Sequence, residues 1–187
     1  MEIKNYFMLE IRIHGRGGQG SVTLAELLAE AAYYSGKFAQ AFPNFGVERR
    51  GAPVTAYVRL ADKFIRLRSQ VYTPDFLIVQ DAGLLDGVDV FAGAKNGAII
   101  LINTTKPASE FKAPKRVAVK TIAATELGTE ILGRPIINTI MLGAFAKLSG
   151  LIKMSAVEKA IGERFDQELA QKNIEAAKKG FDLISKS

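Results

Sequence analysis

The chain has 187 residues, of which 48% are hydrophobic and 24% charged, so it is long enough for one sizeable folded domain. It contains no cysteine and one histidine, which excludes disulfides, thiolate metal sites and cysteine nucleophiles within the chain. A net charge of +6 favours an anionic partner: an acidic subunit, a phosphorylated ligand or nucleic acid. No DNA- or RNA-binding signature accompanies the basic residues, so we expect no nucleic-acid partner.

The apolar segments and the N-terminal residues predict a soluble, cytoplasmic protein. No apolar stretch reaches the roughly 18 residues that are needed to cross a bilayer. The start, MEIKNYFMLEIRIHG, has an acid at Glu2 and runs directly into a predicted strand, so it does not resemble a cleaved signal peptide. We therefore expect no membrane partner.

Strands and helices are predicted to alternate along most of the chain. A strand leads into a glycine-rich turn, and the helix that follows carries an apolar stripe and ends near Gly36. Asn138 is predicted to cap a later helix, and Gly150 to end it. The predicted strands are 9–14, 38–41, 54–60, 64–67, 76–79, 98–102 and 117–119. The predicted helices are 21–36, one or two short ones within 84–91, 121–132, 138–148, 155–165 and 167–184.

This order predicts a single α/β domain over residues 1–187. We expect a three-layer domain with a mostly parallel, Rossmann-like sheet and C-terminal helices. Residues 54–60 and 64–67 are predicted to form an antiparallel hairpin. The two continuous apolar strands, 76–79 and 98–102, are expected at the centre of the sheet. The sequence does not predict the strand order.

The glycine-rich turn is the first candidate site. Gly15, Gly17 and Gly20 match the pattern G-x-G-x-x-G, with a predicted strand before it and a helix after it. Glycines allow close approach of the backbone to a ligand, and a helix start offers free N–H groups. An anion is therefore expected over Gly17, Gly18, Gln19 and Gly20.

The same turn departs from a dinucleotide site. An acid about 20 residues beyond the glycines would hold the ribose, and Gln40 lies in that region instead. Arg16 and Gln19 also make the turn richer in polar donors than a dinucleotide needs. The open alternatives are a phosphate or interface contact and a tight turn that holds no ligand. His14 is interpreted as a strand-end residue hydrogen-bonded to the loop rather than as a catalyst.

A second candidate site lies in AFPNFGVERRGAPV, residues 41–54, which is predicted to be a long ordered loop. Arg49 and Arg50 can each bind a phosphate or carboxylate through two parallel N–H bonds, and Glu48 could orient one of them. The alternative is an internal Glu–Arg clamp that only shapes the loop.

Together, HGRGGQG at residues 14–20 and this loop resemble the gamma subunit of 2-oxoacid:ferredoxin oxidoreductases, most closely that of the pyruvate enzyme. LRSQVYTPDFLIVQD at 67–81 and NTIMLGAFAKLSGLI at 138–152 extend the resemblance over nearly the full chain. The glycine turn alone would be a weak signal, whereas the pair of loops is specific.

The resemblance implies a complex that decarboxylates a 2-oxoacid on thiamine diphosphate with Mg²⁺. Electrons then pass through [4Fe–4S] clusters to ferredoxin, and coenzyme A takes the acyl group. The expected partners are alpha, beta and ferredoxin-like delta subunits, which would hold these cofactors, while this chain alone binds none.

Within such a complex the chain is expected to play one of two roles. In the first, Gly17 to Gly20 with Arg49 and Arg50 would line a substrate and coenzyme A channel. In the second, residues 42–53 would lock the subunits together. The alternatives are a free-standing NAD- or FAD-binding oxidoreductase and a purely structural subunit.

Overall fold

The structure is a computed structural model that describes residues 7–44 and 50–184. Its elements alternate along the chain as the sequence predicts. The strands are β1 (Met8–Arg16), β2 (Phe38–Pro43), β3 (Pro53–Ala61), β4 (Phe76–Val79), β5 (Ile99–Asn103) and β6 (Ala118–Ile122). The α-helices are α1 (Ser21–Tyr34), α2 (Ala124–Leu132), α3 (Asn138–Ser149), α4 (Met154–Arg164) and α5 (Gln167–Leu183). Two 3₁₀ turns span Ala82–Asp86 and Ala108–Glu110.

The strands form one mixed sheet in the order β2-β3-β1-β4-β5-β6. β1, β4, β5 and β6 are parallel, whereas β3 runs antiparallel to both β1 and β2. The predicted α/β class is confirmed, and β2 with β3 supplies the antiparallel pair.

The predicted hairpin is wrong in its second strand. Residues 64–67 form no strand in the structure. Both edges of β3 are already occupied, by β1 on one side and β2 on the other, so this segment has no place in the sheet beside it. Only Ile65 of the segment is buried. Propensity therefore predicted a strand beside β3, where both edges are already taken.

The main core lies between the sheet and the helices. The predicted apolar stripe of α1 is confirmed, because Leu24, Leu27, Leu28 and Ala32 are all 0% exposed. Ile122 belongs to β6, so the helix predicted from residue 121 begins only at Ala124. Strand and helix propensities overlap at such a boundary.

Helices α3 and α5 approach each other closely through small residues. A Cβ atom at Gly143 would lie 1.9 Å from the carbonyl oxygen of Ala177, and one at Gly180 would lie 2.2 Å from that of Ile140. Small residues of α5 form this contact: Ala176, Ala177 and Gly180 are buried, whereas Ile174 is only partly buried.

The other face of the sheet has two different halves. Beside β4 and β5, apolar side chains such as Leu77 and Ile100 pack against Leu84 and Val90, as expected for central strands. The covering layer there is the 3₁₀ turn Ala82–Asp86 and irregular chain, so the one or two short helices predicted within 84–91 are met only at their start. Beside β1 and β3, the same face carries buried charged and polar side chains, among them Arg59.

Candidate functional site

The glycine turn connects β1 to α1 and is closed by hydrogen bonds between its own residues. The backbone N–H of Arg16 donates to Oε1 of Gln19 at 2.7 Å, and the N–H of Gln19 donates to the carbonyl of Arg16 at 2.9 Å. Gly18 and Gly20 have φ of 94° and 74°, in the left-handed region that side chains rarely adopt. The turn therefore requires glycine at these two positions whether or not a ligand binds.

The two predicted loops meet in the structure. The N–H of Gly17 donates to the carbonyl of Ala52 at 2.9 Å, and the N–H of Gly51 donates to the carbonyl of Gly17 at 3.0 Å. Arg50 is exposed, and its Cγ would lie 4.0 Å from a Cβ atom placed on Gly18. Arg50 thus lies beside the glycine turn, as the pairing of the two loops predicts.

Two of the predicted site residues, Glu48 and Arg49, lie outside the described residues. In the described part of this region, the ion pair is formed by Arg16 with Asp81, at 2.6 Å between Nε and Oδ2. Arg16 also donates to the carbonyl of Gly51 at 3.3 Å. An arginine that sequence reasoning left without a role therefore connects the turn, the second loop and the end of β4.

Below the turn, side-chain amides form a chain of hydrogen bonds. Gln80, which is 1% exposed, accepts a bond from the Ser21 hydroxyl at 2.6 Å and donates to Oδ1 of Asn138 at 2.9 Å. A Cβ atom at Gly15 would lie 2.4 Å from Gln80 Oε1, and one at Gly20 would lie 2.5 Å from Asn138 Nδ2. Both glycines are therefore needed for this close packing, independently of any phosphate.

A cleft of about 500 Å³ opens beside these amides, at the carboxyl ends of β4 and β5. The N-termini of α1 and α3 both border the cleft, and neither has a side-chain cap from the described residues or an acid in its first turn. Two positive helix ends therefore border one cavity, whose walls carry both amide and apolar side chains. Its walls are formed by Gly18, Gln19, Gly20, Gln80, Asn103, Thr125, Pro135, Ile136, Ile137 and Asn138.

Asn138 differs from its predicted role. It is the first residue of α3, the cap position is Ile137, and no described side chain caps the helix. Because its amide is held by Gln80, Asn138 serves the wall of the cleft rather than the helix end. The predicted stop at Gly150 is confirmed, with φ of 66°.

The predicted candidates are distributed unevenly around this cleft. Gly18, Gln19 and Gly20 line it, whereas Gly17 is used in backbone bonds to the second loop. Sequence reasoning missed Gln80, Asn103 and Thr125. For Gln80 and Asn103 the available signal was a polar residue at the end of a buried strand, since the carboxyl ends of parallel strands share one edge; Thr125 lies in α2 and carried no such signal. Asn103 fixes this edge by donating to the carbonyl of Gln80 at 2.9 Å.

The sheet order explains why the turn is a poor dinucleotide site. In a Rossmann fold the second strand lies beside the first and carries the acid that binds the ribose. Here antiparallel β3 lies beside β1, and β2 with Gln40 lies at the far edge. The missing acid therefore reflects a different topology, which disfavours a free-standing NAD or FAD enzyme.

His14 is a buried structural residue. Arg12 Nε donates to His14 Nε2 at 3.1 Å, so its side-chain partner is Arg12 rather than the predicted loop. Burial, with a smaller contribution from the Arg12 charge, lowers the pKa of His14 to about 4. The ring is therefore neutral at pH 7, with Nε2 serving as an acceptor for Arg12.

Within residues 7–44 and 50–184, no group of three or more histidine and acidic side chains is placed to hold a metal ion. None of the helices described there is long and apolar enough to cross a membrane.

Comparison with known proteins agrees with these features. Residues 10–183 match the model of the pyruvate ferredoxin/flavodoxin oxidoreductase family. The chain is 52% identical over 180 residues to the common gamma subunit of the pyruvate and ketoisovalerate oxidoreductases of Thermococcus litoralis, covering 94% of this chain and 96% of that protein. It is 51% identical to the pyruvate synthase subunit PorC of Methanothermobacter thermautotrophicus, covering 96% and 97%.

A solved structure gives the same assignment. The crystal structure of the pyruvate oxidoreductase subunit PORC of Thermotoga maritima superposes with a TM-score of 0.82 at 34% identity, over 97% of this chain and 98% of that one. The chain therefore belongs to the pyruvate ferredoxin/flavodoxin oxidoreductase family, in which it corresponds to the gamma subunit.

Proposed function

We propose that the whole chain, as one gamma-type domain, works in a cytoplasmic complex with alpha, beta and delta subunits. The complex would convert pyruvate, or a related 2-oxoacid, to its acyl-coenzyme A and CO₂ while reducing ferredoxin. Thiamine diphosphate with Mg²⁺ and the [4Fe–4S] clusters would be held by the partners, since this chain has no cysteine to ligate a cluster. The isolated chain would be inactive.

Within the complex, we assign this chain to the wall of the coenzyme A channel. The observation that carries this proposal is the junction of Gly17 with Gly51 and Ala52, which holds the exposed Arg50 beside Gly18. A guanidinium, two helix N-termini and neutral amides suit the phosphates and amides of coenzyme A. When bound, coenzyme A would supply the thiol that accepts the acyl group.

The second candidate role is a subunit interface through residues 42–53. Arg50 and Gly51 are both exposed in the isolated chain, which leaves this end of the loop open to a neighbour. The same residues would then bind a partner carboxylate instead of a phosphate. The two roles predict different consequences of removing the arginines.

The test is Arg50→Ala, alone and with Arg49→Ala, in the assembled complex. Loss of the phosphate contact would raise the KM for coenzyme A about ten-fold, the effect of about 1.4 kcal/mol of lost binding energy, with little change in the KM for pyruvate. Lys112→Ala is the matched control, because Lys112 is exposed and lies outside the cleft wall.

Each other outcome has a distinct meaning. An unchanged KM for coenzyme A in an intact complex would rule out the channel role. Failure of the variant to co-purify with its partners would support the interface role. Stoichiometric binding of NAD or FAD by the isolated chain would contradict both.

A further inference from the structure

A groove follows the free side of β2 and shares no lining residue with the cleft. β2 is the first strand of the sheet and pairs, within the described residues, with β3 alone. Cavities of about 630 and 430 Å³ adjoin along it, and both are bordered by Gln40 and Arg68. We call this feature the β2 groove; β2 with Asn44 forms one wall and residues 64–70 form the other.

The edge of β2 offers unpaired backbone groups. Asn44 donates its N–H to the carbonyl of Thr55 at 2.9 Å, and this fixes which residues of β2 point toward β3. Because hydrogen-bonded pairs alternate in an antiparallel ladder, Ala39 and Ala41 direct their N–H and C=O groups away from β3. Pro43, which has no N–H, limits the edge at its end. An incoming strand would find donors and acceptors at two positions.

The other wall of the groove, residues 64–70, includes a segment that is predicted to form a strand but pairs with no described strand. Residues 64–67 are predicted to form a strand, yet in the described structure their N–H groups donate to no backbone carbonyl. Phe64 is 70% exposed. The segment is nevertheless held in place, because the buried Arg59 donates to the carbonyls of Ser69 and Gln70 at 2.8 and 3.1 Å.

The groove is positively charged. Arg66 and Arg68 are exposed, and neither forms an ion pair with any described residue. A strand added to β2 would direct every second side chain to the face where these arginines lie. An occupant with acidic residues at alternate positions would therefore pair with them. A second copy of this chain is a poor occupant, since its net charge is +6 and its own groove is basic.

One end of the groove is apolar. Phe38 and Phe64 are 48% and 70% exposed and contact each other edge to face, with ring centroids 6.5 Å apart. Exposed aromatic pairs of this kind commonly anchor an interface. An apolar residue of the occupant would cover them.

From these observations we infer that the β2 groove docks an extended segment of another subunit of the complex, acidic at alternate positions and with an apolar residue at the Phe38 end. About six residues would fill it, at roughly 3.3 Å per residue. The segment adds a strand to the sheet, so main-chain bonds supply affinity and Arg66 and Arg68 supply specificity. The inference rests on the proposed function only in taking the chain to be part of a complex, and it is independent of the coenzyme A channel.

The first test measures binding of the full chain to the other subunits. Arg66→Glu with Arg68→Glu should weaken binding at least ten-fold, because it replaces attraction by repulsion. The matched control is Lys112→Glu with Lys115→Glu, an identical charge change on exposed residues elsewhere, and it should change the affinity less than two-fold. In complex formed at high protein concentration, the KM for coenzyme A should be unchanged, which separates this inference from the channel proposal.

The second test is hydrogen exchange of the unmodified chain, free and in the complex. Peptides that contain Ala39 and Ala41 should exchange rapidly in the free chain and become protected on assembly. Absence of protection at these positions would overturn strand addition. Equal weakening by both charge-reversal variants, or dimerisation of the chain alone through the β2 groove, would overturn the inference as well.

Discussion

Strands β1 and β3 present opposite chemistry on their two faces. Toward the helices they direct Ile13 and Val58, both 0% exposed, into an apolar core. On the other face lie Arg12, His14 and Arg59, which are also buried. Regular helices pack closely on the first face, whereas irregular chain covers the second.

The charged face shows how irregular chain can be held on a sheet. Arg12 donates to the carbonyls of Val90 and Ala92 at 3.1 and 2.6 Å, and Arg59 binds those of Ser69 and Gln70. Buried carbonyls need donors, and here guanidinium groups supply what neighbouring strands would otherwise provide. We therefore expect the two faces to respond differently to substitution.

The largest effect is expected at Arg59. It is 1% exposed and pairs with Glu10 at 2.9 Å, so Arg59→Met would leave two carbonyls without this donor and Glu10 with only its 3.9 Å pair to Lys95. Removing one partner of a buried pair costs about 4 kcal/mol of unfolding free energy. Urea denaturation would measure this loss.

Arg164→Met, which removes solvent-accessible pairs with Glu26 and Glu30, should cost less than about 1 kcal/mol. Equal losses would contradict the distinction between buried and surface arginines.

The helix-covered face should be most sensitive to added volume. Gly143→Ala would place its methyl group 1.9 Å from the carbonyl oxygen of Ala177, which is backbone and cannot swing away. We expect a loss of about 2–3 kcal/mol from overpacking.

Gly162→Ala in α4 is the matched control, because a Cβ atom there meets nothing within 4 Å. It should stabilise the chain by up to about 1 kcal/mol through helix propensity. Thermal unfolding of both variants would show whether Gly143→Ala lowers the stability and Gly162→Ala raises it. A stable Gly143→Ala variant would show that α3 and α5 can separate.

The smallest expected effect depends on pH. The pKa of His14 is about 4 when folded and 6.5 ordinarily, so the unfolded chain binds a proton that the folded chain does not between these values. Stability contributed by the neutral ring is therefore full above pH 6.5 and falls as the pH drops toward 4, by about 2 kcal/mol between pH 7 and pH 5.

Denaturant unfolding at both pH values would measure this dependence. His14→Gln keeps an acceptor for Arg12 but does not titrate, so it should lose correspondingly less stability between the same two pH values. An identical loss in both proteins would show that other groups cause it.

Much of the fold follows from local patterns in the sequence. The stripe that begins at Leu24 and the continuous apolar runs of β4 and β5 are strong signals, because burial on one or both faces determines them. The strand order and the lack of a partner for residues 64–67 depend on which edges are already occupied, which a local pattern does not record.

The candidate site also has one part that could be predicted from the sequence and one part that could not. The glycines and Arg50 could be predicted because special backbone geometry and charge are visible in the sequence. The hydrogen-bonded set of Gln80, Asn103 and Asn138 comes from three separate elements, and only the sheet brings its members together. The role of Arg16 was missed because its partner, Asp81, is distant in the chain.

The junction of Gly17 with Gly51 and Ala52 is made of main-chain atoms on both sides. Bonds of this kind survive any side-chain change that the local backbone geometry tolerates, and at Gly51, with φ of 82°, that geometry favours glycine. The neighbouring loop residues are therefore free to diverge while the turn stays anchored. One scaffold can in this way present different side chains at the same position.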